Sequence, residues 1–205
     1  GLALLPALLA SFVTPNHPAI ERLLARVATR LRELTGDGAL NGYQTRDPER
    51  VRSMLRAVFD VVASLGIVYS EPPASFEQHG QRVRLADQVL AGQLGTCLDL
   101  TLLFASLLEQ AGLRPLLVLL EGHAFVGVWL VPAAFGEVAG DDGLRLRKRV
   151  DLDELLLVET TAATADANAD FDRAVDAARR RLQDLAGFRA VIDVAAARGA
   201  RFLPL

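Results

Sequence analysis

Thiol chemistry needs a nucleophile, a base beside it and a group that orients the base, and this chain has few residues able to fill those roles. Cys97 is the only cysteine, and there are three histidines, His17, His79 and His123. Cys97 stands near the start of the apolar run GTCLDLTLLFASLLEQAGL, residues 95–113. There, Thr96 and Asp99 form a T-x-x-D pair, which predicts a capping box with Thr96 as N-cap and Asp99 as the third helical residue. Cys97 then becomes the first residue of the helix, where orphan backbone N–H groups and the helix dipole favour a thiolate. The Asp99 carboxylate opposes that effect if it points at the sulfur rather than back to the backbone. A lone cysteine also reads as a small buried hydrophobe, so packing and chemistry both stand open at this position.

Among the histidines, His17 falls in the loop PNHP and His79 in the loop EQHGQ, whereas His123 opens the apolar strand EGHAFVGVWL. An acid closes a further apolar run, LLLVETT, at Glu159. Burying that carboxylate is costly unless it is paired, and His123 is an available partner. The plainer alternatives are a hydrogen-bonded core histidine and a strand-end glutamate turned to solvent. Gln81 in GQRVR and Gln93 in AGQLGTC are candidate side-chain donors to an oxyanion, or ordinary polar loop residues.

The elements that must position these residues are legible from periodicity and punctuation. Ile20, Leu23, Leu24, Val27, Leu31 and Leu34 recur at helical spacing, with Pro18 in the first turn and Gly36 past the end. A second helix has Asp47 as N-cap, Pro48 as its first residue, a stripe from Val51 to Val62, and Gly66 as its stop. The two should form an antiparallel pair, residues 1–66, packed on a core of residues 67–205. Residues 67–94 read as an extended, looping path, because a proline pair and several glycines forbid a long helix. The helix of Cys97 follows, ended by Gly112. Pro115–Glu121 and His123–Val131 read as strands, rich in Val, Leu, Phe and Trp. PAAFGEVAGDDG is expected as a loop, RLRKRVDLDE as a charged approach and Leu155–Glu159 as a third strand. A helix is expected over Asn168–Leu185 and a last short strand over Ala190–Val194. The fold class is α+β.

Composition narrows the function. Of 205 residues, 51% are hydrophobic and 23% charged, which fits a globular chain rather than a disordered one. A net charge of −3 argues against a protein built to neutralise phosphates. Two basic runs, Arg145 to Arg149 and Arg179 to Arg181, have acidic neighbours and no interleaved aromatic residues, and read as solvated faces. No direct nucleic-acid contact is therefore expected, and no membrane contact, since no apolar run reaches membrane-spanning length. One cysteine and scattered histidines offer no metal-ligand spacing, so neither metal nor cofactor is expected. A free thiol suits the reducing cytosol. The opening GLALLPALLASFV lacks the basic flank of a signal peptide and contains Pro6, so the expectation is a piece of a longer protein.

The order of GTCLDL, then GHAFVGVWL, then VETT resembles the transglutaminase-like superfamily of papain-type Cys-His-Asp enzymes, over roughly residues 69–161. The resemblance implies a papain-like core, with Cys97 as nucleophile and His123 as base. It implies that Glu159, before Thr160 and Thr161, stands where the family usually has aspartate before threonine. Glutamate keeps the charge and lengthens the arm. TPNHP at 14–18, GYQ at 42–44, YSEPPASFEQHGQRVRL at 69–85 and the terminal VIDVAAARGARFLPL are similar to a transglutaminase-like module of large bacterial proteins that also carry helicase-like or nuclease domains. The implied activity is hydrolysis of an amide or isopeptide bond in a protein substrate. The alternatives are transamidation or deamidation by the same residues, or a catalytically silent binding module.

Overall fold

In the computed structural model, which describes residues 4–71 and 83–205, the chain opens with one helical turn, α1 (Leu4–Ala7), and a 3-10 segment, Leu8–Phe12. The first long helix, α2 (Pro18–Thr35), starts at Pro18 and is stopped by Gly36 in a left-handed conformation, φ +82°. Helix α3 (Pro48–Ala63) starts where Asp47 accepts a hydrogen bond from Glu49 N at 3.0 Å. Both helices bury one amphipathic stripe in a shared core, Ile20, Val27 and Leu31 from α2 with Val51, Val58 and Val62 from α3. The loop between them contains a 3-10 turn, Gly42–Thr45.

The segment expected to be only extended holds a short parallel pair and a helix. Strand β1 (Val68–Tyr69) pairs in parallel with β2 (Leu94–Gly95), in the register Tyr69↔Gly95. Between them lies α4 (Ala86–Gly92), which buries only Ala86 and Val89, too sparse a stripe for periodicity to reveal. Helix α5 (Cys97–Gln110) follows directly, and every residue from Cys97 to Leu108 is buried. A helix buried on all sides belongs at the centre of a fold, and α5 lies between the α2–α3 pair and the sheet.

The main sheet contains β3 (Pro115–Leu120), β4 (His123–Trp129), β5 (Ala139–Gly140), β6 (Leu155–Val158) and β7 (Phe188–Asp193), in the order β5-β7-β3-β4-β6 with all neighbours antiparallel. Alternation along the strands builds two cores. Ala124, Val126 and Val128 share the core of α5, whereas Phe125 and Trp129 join a second one with α6 (Gly143–Asp151) and α7 (Phe171–Arg181). The hairpin β3–β4 closes in the register Leu120↔His123, with Gly122 at φ +66° in its turn. Val126 pairs with Val158. The start of β4 and the end of β6 therefore reach the same edge of the sheet.

Four expectations need correcting. The stretch PAAFGEVAGDDG, expected as a loop, contains β5, which pairs with β7 in the register Ala139↔Ile192. The stretch read as a charged approach is largely helix α6, because Asp142 caps Arg145 N at 3.0 Å and Gly143, Leu146 and Val150 form a narrow buried stripe among basic residues. Gly143 packs closely: a Cβ there would stand 2.9 Å from the end of the Leu185 side chain and 3.0 Å from the Phe188 ring, and both would have to give way. The last strand is followed by a further helix, α8 (Val194–Gly199), capped by Asp193. The 67–94 segment includes α4, as above. Far from Cys97, Arg198 of α8 ties the molecule together: it donates to Glu109 at the end of α5, to the carbonyls of Ala10 and Val13, and to that of Phe202.

Candidate active site

Local sequence places Cys97 at the start of α5. Asp99 N donates to Thr96 Oγ1 at 3.2 Å and Thr96 N to Asp99 Oδ2 at 3.0 Å, the reciprocal capping box that T-x-x-D predicts. Asp99 also accepts from Arg84, through the backbone N at 2.8 Å and the guanidinium at 3.0 Å. Its carboxylate is thus turned to the backbone and to a cation. Of the two orientations open to it in sequence, this one does not set a bare negative charge against the sulfur. Cys97 itself is only 4% exposed and is part of the main core.

His123 and Glu159 meet because of the antiparallel register. His123 Nε2 lies 2.8 Å from Glu159 Oε2. An ionised carboxylate only accepts, so Nε2 carries the proton of that bond and Nδ1 is the ring nitrogen left for the thiol. Cys97 lies close enough to His123 to act on the proton affinity of the imidazole. Burial by itself would lower the proton affinity of the imidazole. The hydrogen bonds with Cys97 and Glu159 and the charge of Glu159 outweigh it, raising the His123 pKa to about 9.

Glu159 is only 4% exposed, and four donors surround its two oxygens. Oε1 accepts from Thr161 N at 3.2 Å and Thr161 Oγ1 at 2.8 Å, so the carboxylate also caps the 3-10 turn Thr160–Ala163. Oε2 accepts from His123 and from Arg181 Nε, the latter at 2.7 Å. Burial pushes the carboxyl towards its neutral form. The bonds from His123 and Thr161 and the charges of His123 and Arg181 outweigh it and hold its pKa below the usual carboxylate range.

Two buried threonines join these elements. Thr101 donates to the Cys97 carbonyl at 2.8 Å, and its hydroxyl lies 3.3 Å from that of Thr160, the residue after Glu159. The first turn of α5 is thereby tied to the turn that carries the acid.

Cys97, His123 and Glu159 thus stand together. Comparison with protein-family models, curated proteins and solved structures finds no match. The cluster must be read from its own geometry. Gln93 is exposed, in a left-handed conformation at the end of α4, and its side-chain amide donates to the Leu65 carbonyl at 3.1 Å. Gln81 and His79 lie outside the described residues. His17 caps α2, accepting from Ala19 N at 3.2 Å.

Sequence reasoning missed two members of the cluster. Tyr69 reaches it because β1 pairs with β2 immediately before Thr96. Burial raises the Tyr69 pKa, followed by the charges of Cys97 and Glu71 and a hydrogen bond with Cys97. Arg181 belonged to a run that read as solvated. No local signal marks either residue, since both contacts depend on tertiary packing. A separate groove of about 660 Å³ between α2 and α3, lined by Arg26, Arg30, Phe59 and Asp60 among others, shares no residue with this cluster. Among the described residues, no group of three His, Cys, Asp or Glu side chains could hold a metal ion, and no helix is long and apolar enough to cross a membrane.

Proposed function

We propose that the chain is a cysteine-dependent amide or isopeptide hydrolase acting on a protein substrate, with a papain-like core of the transglutaminase-like type. The observation that carries this reading is that His123 bonds the buried Glu159 at 2.8 Å and stands close enough to a cysteine at a helix start for that cysteine to act on its proton affinity.

The steps follow from those positions. His123 takes the Cys97 proton, and the sulfur attacks the substrate carbonyl carbon. The oxyanion meets the Cys97 backbone N–H, which as the first of the helix has no intrahelical partner. Collapse breaks the C–N bond as the imidazolium gives its proton to the departing amine. A thioester remains. Water then attacks it, giving a proton to His123, and expulsion of the sulfur leaves a carboxylic acid. Glu159 holds the imidazole tautomer and its charged form throughout.

The test uses the one thiol of the chain. Alkylation of Cys97 by iodoacetamide at neutral pH should slow by about tenfold or more in His123→Ala. Equal rates in the two proteins would refute the pairing and favour a catalytically silent binding module. Mass spectrometry of candidate protein substrates then separates hydrolysis from transamidation, which adds a cross-link, and from deamidation, which adds about one mass unit on replacing an amide by an acid.

A further inference from the structure

Arg181 occupies the last turn of α7, in a run whose neighbour Arg179 makes only an exposed pair with Asp153 at 3.4 Å. Pairs of that kind contribute little. The bond from Arg181 differs in its acceptor. Glu159 Oε2 receives Arg181 Nε at 2.7 Å and His123 Nε2 at 2.8 Å, so one buried oxygen serves both cations. The Arg181 side chain is 44% exposed and that of Glu159 only 6%, which brings a solvent-facing charge onto a desolvated carboxylate. Thr161 occupies the other oxygen. With four donors converging on it, the carboxylate has one orientation that satisfies them all.

We propose that Arg181 is a positioning residue for the Cys97–His123–Glu159 cluster, fixing the shared oxygen and dividing its negative charge between guanidinium and imidazole. The reaction it serves rests on the functional reading above, but the arrangement does not. Without Arg181, Oε2 would belong to His123 alone and would stabilise the imidazolium more strongly. The Nδ1 proton would then pass less readily to a leaving amine. Among the described residues, the titratable and charged groups that act on His123 are Cys97 from α5, Glu159 at the end of β6 and Arg181 from α7, with Tyr69 of β1 against Cys97. Of these, Arg181 acts by its charge to lower the proton affinity of His123, against the hydrogen bonds and the carboxylate that raise it.

The experiment is an NMR titration of the histidine side chains in the full chain, with His123 assigned through His123→Gln. In Arg181→Met, the His123 midpoint should rise by about 0.5 to 1 pH unit, the modest end of a nearby-charge effect for a half-exposed cation. Arg181→Lys keeps the charge and should bring the midpoint back towards wild type, and the Met displacement should persist in a Cys97→Ala background. A midpoint unmoved in Arg181→Met, or displaced equally in Arg181→Lys, overturns the proposal and leaves a surface ion pair. Failure of the hydrolase reading shows separately, as Cys97 alkylation indifferent to His123→Ala, because the titration needs no turnover.

Discussion

Glu159 and Asp193 are two buried carboxyl groups in one sheet, and they share a backbone role. Each stands at the end of a strand and caps the helical turn that follows, Glu159 through Thr161 N and Asp193 through Ala196 N at 3.0 Å. Their remaining partners differ. Asp193 accepts from the Trp129 indole at 3.0 Å and from Phe135 N at 2.7 Å, neutral donors fixed by the second core. Glu159 faces an imidazole and a guanidinium, and the imidazole faces a thiol. Burial of an acid therefore does not mark a site. What marks it is a partner whose protonation can change.

The comparison can be broken in three ways, from the largest effect to the smallest. Asp193→Ala strips two buried donors and one part-buried donor of their acceptor and should destabilise the fold by about 3 kcal/mol or more. In buffer where the variant remains folded, Cys97 alkylation should match wild type. A variant as stable as wild type in urea would show that the two carboxyls are not structural and chemical counterparts.

The second test is pH. The folded His123 pKa of about 9 lies above the ordinary histidine value of 6.5. Its contribution to stability is complete below that ordinary value and is lost as pH rises through about 9. The size is on the order of 2 to 3 kcal/mol. Glu159 has the opposite sign: its pKa is depressed in the fold, so its contribution is present above the ordinary carboxyl value and lost as pH falls through the depressed one. Urea midpoints should therefore decline from pH 6.5 to 9.5 in wild type and much less in His123→Gln. Parallel slopes would remove the basis for treating the Glu159 side as titratable.

Thr161→Val is the mildest. It deletes one hydroxyl donor to Oε1 while leaving the backbone cap, and should cost about 1 kcal/mol. Slower Cys97 alkylation in this variant, with the cap intact, would show that orientation of the carboxylate reaches the thiol. The matching change on the other side, Trp129→Phe, should lower stability by a similar amount without touching alkylation.

How much of this was legible in the sequence depended on locality. Helices α2, α3 and α5 were readable because each start is set by residues within one turn of it: Pro18 after His17, Pro48 after Asp47, and Thr96 with Asp99. Cys97, His123 and Glu159 could be singled out because each stands at the boundary of an apolar run, where a polar side chain is conspicuous. Helix α6 was hidden by its basic residues, since Leu146 and Val150 are the only large apolar side chains it buries. Tyr69, Arg181 and Asp193 were not readable for another reason. Their partners are distant in sequence, and only the packing of α7 and of the β1–β2 pair, or the run of β7 past Trp129, brings them within hydrogen-bonding range.

The Arg198 staple closes the chain on itself. It gathers residues 10, 13, 109 and 202 at the end of α5 opposite Cys97, and Leu205 N donates to Ser11 O at 2.9 Å close by. Its bond to the Ala10 carbonyl joins positions 188 apart in sequence. Contacts of that span carry a loop-closure entropy that short-range ones do not, and the staple bears it at the opposite end of α5 from the thiol.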